Sequence, residues 1–99
     1  MEEKDYIIIP EKVVEDSNLS STDKLVYGII LRLTRSNGYC WATNKYIADM
    51  LGFTTRTISE SVRKLKVLGY INSGMNNDEK YKTFRKISID NIENIFNDF

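Results

Sequence analysis

Ninety-nine residues, 41% hydrophobic and 11% aromatic, suffice for one compact domain with a modest core, and the formal net charge is zero. With no histidine and one cysteine, Cys40, the chain lacks the means for His-based triads, imidazole bases, histidine metal ligands or an internal disulfide, so no enzyme, cofactor or metal site is expected. The longest apolar run, 25–31, is interrupted by Gly28 and falls far short of the roughly 20 residues that cross a bilayer; with no secretory signal pattern at the start, a cytoplasmic location without a membrane partner is expected.

Tyr6, Ile7, Ile8 and Ile9 form a β-branched and aromatic run stopped by Pro10, which predicts a short strand. Residues 11–18 read as a helical turn or a loop. Ser20, Ser21, Thr22 and Asp23 offer caps ahead of Leu25, Val26, Ile29, Ile30 and Leu33, which share about 140° of helical arc. This first long helix ends at Ser36-Asn37-Gly38. Tyr27 and Leu31 form a second apolar patch on its other side. Tyr39-Cys40-Trp41 suits a small strand, with Cys40, Tyr39 and Trp41 read as core residues.

Thr43 caps the next helix, whose inner face is Ile47, Ala48 and Leu51, and Gly52 breaks it. Phe53-Thr54 makes the turn. Thr54 caps a further helix in which Ile58, Val62 and Leu65 lie within about 60° of one another, with Gly69 as the stop. Two strands are predicted at 70–71 and 80–89 around a polar loop at 72–79. Asp90 then caps a short amphipathic segment with Ile92, Ile95, Phe96 and Phe99 at i, i+3, i+4 and i+7, too short to be stable undocked.

The neutral total conceals a division. Residues 1–23 carry a net charge of −5, 24–75 carry +6, 76–86 carry +2 and 87–99 carry −3. A basic middle between acidic ends suits a polyanion if the ends fold away from it. The spacing Ala48-x-x-x-Gly52, then Thr54 and Ile58, has the small residue and tight turn that two steeply crossing helices need. Opposite Ile58, the second helix presents Arg56, Ser59, Glu60, Arg63, Lys64 and Lys66. Arginine can read guanine and glutamate can accept from cytosine in a major groove, although any solvated helix face shows a similar stripe.

Residues 19–71 resemble the winged helix-turn-helix domains at the front of plasmid and phage replication initiators. The resemblance is carried by Leu19-Ser20-Ser21-Thr22-Asp23-Lys24-Leu25-Val26-Tyr27, by Gly38-Tyr39-Cys40-Trp41-Ala42-Thr43, by the run from Tyr46 through Gly52 to Ile58, and by Leu65-x-x-Leu68-Gly69-Tyr70-Ile71. The second half is also similar to the DNA-binding domains of GntR-type regulators. The resemblance implies an α+β fold: a three-helix core with a two- to three-stranded antiparallel sheet and wing, and a short C-terminal helix. The single domain then divides into a strand and loop at 1–18, a helical core at 19–71, a wing at 72–89 and a C-terminal helix at 90–99. It implies double-stranded DNA as ligand, with a recognition helix supplying Thr54, Thr55, Arg56, Ser59, Glu60, Arg63 and Lys64. The basic hairpin adds Asn76, Asn77, Lys80, Lys82, Thr83, Arg85 and Lys86.

Strand alternation puts Thr83, Arg85, Ile87 and Ile89 on one face of the hairpin and Lys82, Phe84 and Lys86 on the other. Because the chain ends at Phe99, the expected role is that of an accessory factor in plasmid replication or conjugative transfer, working beside larger replication or transfer machinery. A small transcriptional regulator and a protein-binding winged helix are the alternatives. Tyr27, Leu31, Ile92, Ile95, Phe96 and Phe99 would serve either a homodimer interface or docking of the tail within the chain.

Overall fold

The computed structural model describes residues 6–78 and 82–92, arranged as α1 (Glu11–Val14), α2 (Ser21–Asn37), α3 (Asn44–Leu51), α4 (Thr55–Val67), β1 (Asn72–Asp78) and β2 (Lys82–Ser88). The architecture is α+β, a winged helix-turn-helix, as the family resemblance implies. Its centre is α2. Six successive residues, Val26, Tyr27, Gly28, Ile29, Ile30 and Leu31, are buried, so this helix is covered all round rather than along one stripe.

That cover removes Tyr27 and Leu31 from any dimer surface, since they are only 2% and 1% exposed. Tyr27 meets Tyr70 edge-on within the chain, at 5.8 Å between ring centroids. Residues 6–9 form no strand; they run irregularly, and Ile7 and Ile9 cross α2 at Gly28. A Cβ on Gly28 would come within 2.7 Å of Ile7 Cδ1 and 3.3 Å of Ile9 Cγ1. Glycine within a helix costs about 1 kcal/mol relative to alanine, and here it permits a close crossing that packs two isoleucines on the core. The β-branched run therefore reflects burial, not strand pairing.

The helix ends are held as the capping residues predict. Ser20 Oγ accepts from the Asp23 N–H at 3.1 Å while Asp23 Oδ2 accepts from the Ser20 N–H at 2.9 Å, a reciprocal capping box. Thr43 accepts from the Tyr46 N–H and Thr54 from the Thr57 N–H. Between α3 and α4, Gly52 adopts φ +79, which allows its N–H to return to Ala48 O and the chain to turn sharply.

Residues 72–78 are strand rather than loop, pairing antiparallel with β2 from Asn72↔Ser88 to Asp78↔Lys82. Their polar composition reads as a loop, but the ladder is satisfied by backbone groups and needs no apolar face. Tyr70 and Ile71 precede the strand. The small strand expected at 39–41 is reduced to a bridge between Cys40 and Ile87, with N–H to O distances of 2.7 and 3.0 Å. It ties the hairpin base to the helical core. Cys40 is buried, and burial pushes its thiol pKa up. Asp90 and Asn91 form a turn with Ile92 packed on the core cluster, whereas Ile95, Phe96 and Phe99 lie outside the described residues.

A buried polar contact joins α2 to α4. Asp23, only 3% exposed, accepts from Ser61 Oγ at 2.6 Å and pairs with Lys64 Nζ at 2.7 Å. Burial opposes ionisation, but the hydrogen bonds from Lys64, Ser61 and Ser20 outweigh it and hold the carboxyl below the usual carboxylate range. A pKa lower in the folded than in the unfolded chain stabilises fully above the unfolded value of about 3.9, and this stabilisation is lost as pH falls through the folded value. Asp23→Ala is expected to cost about 2–3 kcal/mol near neutral pH, from the lost cap and the Ser61 and Lys64 groups left without their acceptor. Urea melts of both proteins from pH 7 down to pH 2 check this. The gap between them should narrow below about pH 4, and a constant gap would contradict the assignment.

Candidate nucleic-acid interface

Within α4, Ile58, Ser61, Val62 and Leu65 are buried. The opposite side carries Arg56, Ser59, Glu60 and Arg63, with Lys66 at its edge and Thr55 in the first turn, all exposed. Four of them, Arg56, Ser59, Glu60 and Arg63, fall on one stripe at i, i+3, i+4 and i+7. Arg56 Nε lies 3.5 Å from Glu60 Oε2, with the two side chains 87% and 66% exposed. So open a pair contributes only about 0.3–0.5 kcal/mol, and either group is readily diverted to a ligand. Thr54 stands exposed at the helix start, its hydroxyl engaged as the cap and donating to Thr57 Oγ1 at 3.0 Å.

Lys64 belongs to the same helix but differs in kind. Its ammonium is held by Asp23 and lies 3.5 Å from the Asn18 carbonyl, so it fastens α4 to the start of α2. Neither partner is a neighbour in sequence.

The hairpin divides its cations similarly. Arg85 shares the face of buried Ile87 and turns toward the helical core, donating to Asn44 Oδ1 at 2.8 Å and to Ala42 O at 2.7 Å. Desolvation lowers its pKa, although a guanidinium keeps its proton at neutral pH. Its Nε is buried without a hydrogen-bond partner among the described residues. Arg85 is therefore a fastening between the wing and the first residue of α3, not an outward cation. The other face carries Phe84 and Lys86 against Tyr39, with the rings 6.1 Å apart and the ammonium 5.0 Å from the Tyr39 ring centre. Asn76 and Thr83 are exposed, as is Met75, at 67%. Asn77 and Lys82 lie on the strands; their side chains, and Lys80 altogether, fall outside the described residues.

Sequence reasoning missed Asn44, Asp23 and Ser61 as the groups that position these elements. Ser61 could have been found as the one polar residue on the inner stripe of α4, and Asp23 as the acidic third residue of a capping box. Trp41 is a correction of another sort. Instead of entering the core it lies 40% exposed, edge-on to Tyr46 at 4.9 Å. Tyr46, Met50 and Phe53 continue this exposed apolar stripe along the outside of α3.

A cavity of about 510 Å³ is lined in part by Val13, Tyr27, Leu68, Tyr70 and Ile89. Its two phenols are poor acid–base groups. Desolvation and the proximity of Tyr70 push Tyr27 up to about 12, while desolvation and a hydrogen bond to Asp16 push Tyr70 to about 12. Among the described residues, no group of three or more His, Cys, Asp or Glu could hold a metal ion, and no helix is long and apolar enough to cross a membrane.

If Arg85 fastens the wing, Arg85→Ala should cost about 2 kcal/mol, since it strands the Ala42 carbonyl and the Asn44 side chain. Hydrogen exchange should then accelerate at the Cys40 and Ile87 amides while the α2 core stays protected. Uniform acceleration across the chain would count against a local role.

No curated protein sequence matches the chain. A family model described as a helix-turn-helix domain matches residues 17–71, from just before α2 to the end of the segment that follows α4. The match covers both helices of the turn, the residues that cap them, and the Asp23, Ser61 and Lys64 contact that sets their mutual position. Spanning more than half of the sequence, it shows that the chain belongs to the helix-turn-helix domain family and supports DNA binding.

Proposed function

We propose that the protein binds double-stranded DNA sequence-specifically through α4, with the hairpin as a second contact. The further role we propose is that of an accessory factor at a replication or transfer origin of a mobile element. The observation that carries the first part is the polar stripe of Arg56, Ser59, Glu60 and Arg63, exposed directly opposite the buried Ile58, Val62 and Leu65 in a helix that a helix-turn-helix model covers. A major groove admits such a helix, and arginine reads guanine there through two parallel hydrogen bonds.

Thr54 and Thr55 stand at the positive end of the α4 dipole, where backbone N–H groups suit phosphate. On the hairpin, Asn76, Asn77, Lys80, Lys82, Thr83 and Lys86 are the residues that suit a groove or its phosphate walls. Lys64 and Arg85 contribute through the placement of α4 and the wing instead. The mobile-element role rests on the resemblance of residues 19–71 to replication-initiator domains, and an operator-binding regulator would use the same chemistry. A homodimer would need a face other than Tyr27 and Leu31. The exposed stripe of Trp41, Tyr46, Met50 and Phe53 favours a protein contact as a second reading, with the replication or transfer machinery as a candidate partner.

Selection of bound duplexes from a random pool tests the proposal. A recurrent motif is expected, and the absence of enrichment together with salt-independent binding would overturn it. Log affinity should fall with log salt by roughly 0.9 per phosphate contact. Arg63→Ala should cost about 1–3 kcal/mol on the selected motif and relax one base position, whereas Lys86→Ala should weaken all duplexes alike and lower the salt slope by about 1.

A further inference from the structure

Glu60 is the one carboxylate on the outward stripe of α4, flanked by Arg56, Ser59 and Arg63. On a surface that served only to hold phosphate it would be a liability, because it repels every phosphate equally and has nothing to donate to one. Its partner is Arg56, one turn earlier, across an exposed 3.5 Å contact. Building on the DNA-binding reading above, we propose that Glu60 determines specificity: its carboxylate accepts from the exocyclic amine of a cytosine in the major groove, beside a guanine read by Arg56.

The chemistry of the base edges narrows the choice. A carboxylate needs a donor, and the major groove offers donors only on cytosine and adenine. Adenine's amine lies between two acceptors, its own ring nitrogen and the paired thymine's carbonyl, which repel an anion, whereas cytosine's amine has an acceptor on one side only, the carbonyl of the paired guanine. The ion pair suits this role on two counts. Glu60 and Arg56 lie side by side one turn apart, and Arg56 offsets the approach of the carboxylate to the negatively charged duplex. Guanine or thymine at that position offers the desolvated carboxylate no base donor, and adenine flanks its donor with acceptors, so the pair discriminates by penalty as well as by attraction.

The test is selection from a random duplex pool with the wild-type protein, Glu60→Ala and Glu60→Gln, their helical content checked by circular dichroism. Glu60 is two-thirds exposed, and neither change removes a buried contact. The wild-type motif should contain a cytosine that both variants lose, with discrimination at that position falling roughly tenfold. The remaining positions should persist, and affinity for unrelated duplexes should rise severalfold. A motif identical in all three proteins would overturn the role of Glu60 while leaving sequence-specific binding intact. No motif from the wild-type protein would overturn both.

Discussion

The orientation of α4 depends on one buried carboxylate. Removing an ionised carboxyl from water costs several kcal/mol unless donors replace the lost hydration. Asp23 receives them from its own cap, through the Ser20 N–H, and from α4, through Ser61 and Lys64. Ser61 and Lys64 are three residues apart and so share a face of α4. If α4 slid by one turn along α2, apolar Ile58 or Leu65 would take the place of Ser61 and the carboxylate would lose a donor. If α4 rotated, Ser61 and Lys64 would leave it together. The same contact thus fixes the register of α4 on α2 and determines which residues face outward.

The cations consequently fall into two sets that a count of charges does not distinguish. Lys64 and Arg85 reach inward or sideways to Asp23 and to Asn44 with Ala42, and spend their hydrogen bonds on geometry. Arg56, Arg63 and Lys66 stand on the exposed side of α4. Lys86 lies between the two sets, resting on the Tyr39 ring with its ammonium still able to reach an anion. The Cys40 bridge attaches the hairpin just before Ala42, and Arg85 attaches it at Ala42 and Asn44, at the start of α3. Since α3 also packs on α4, the wing and the outward helix are referred to a common support.

Local chemistry made much of this legible. Ser20, Thr43, Thr54 and Gly52 mark helix ends because side-chain acceptors and positive φ are requirements of a few residues, and each stands where its type predicts. The inner stripe of α4 follows from periodicity alone. What escaped were facts set by distant parts of the chain. The run 6–9 has strand-like composition, but its partner is a glycine notch in a helix rather than a strand. Tyr27 and Leu31 look like a spare patch until the N-terminal segment and Tyr70 are placed around α2. Residues 72–78 look like loop because an exposed hairpin needs backbone pairing more than apolar side chains. Arg85 reads as a wing cation because nothing near it in sequence reveals that Asn44 waits 41 positions away.

The N-terminal crossing also bears on how a chain of zero net charge can present a basic face. Gly28 follows Asp23 by five residues and therefore lies about 140° around α2 from it. Asp23 faces α4, so Ile7 and Ile9 cross α2 on a side turned well away from α4. Two acidic residues of the N-terminal third are engaged within the chain. Asp23 is consumed by the α2–α4 contact, and Asp16 accepts from Tyr70, a hydrogen bond that helps hold its carboxyl below the usual range. With these two carboxylates engaged, the balance of charge on the exposed side of α4 is set chiefly by its own residues. On its outward stripe only Glu60 opposes the cations, which is why a single carboxylate there carries so much weight.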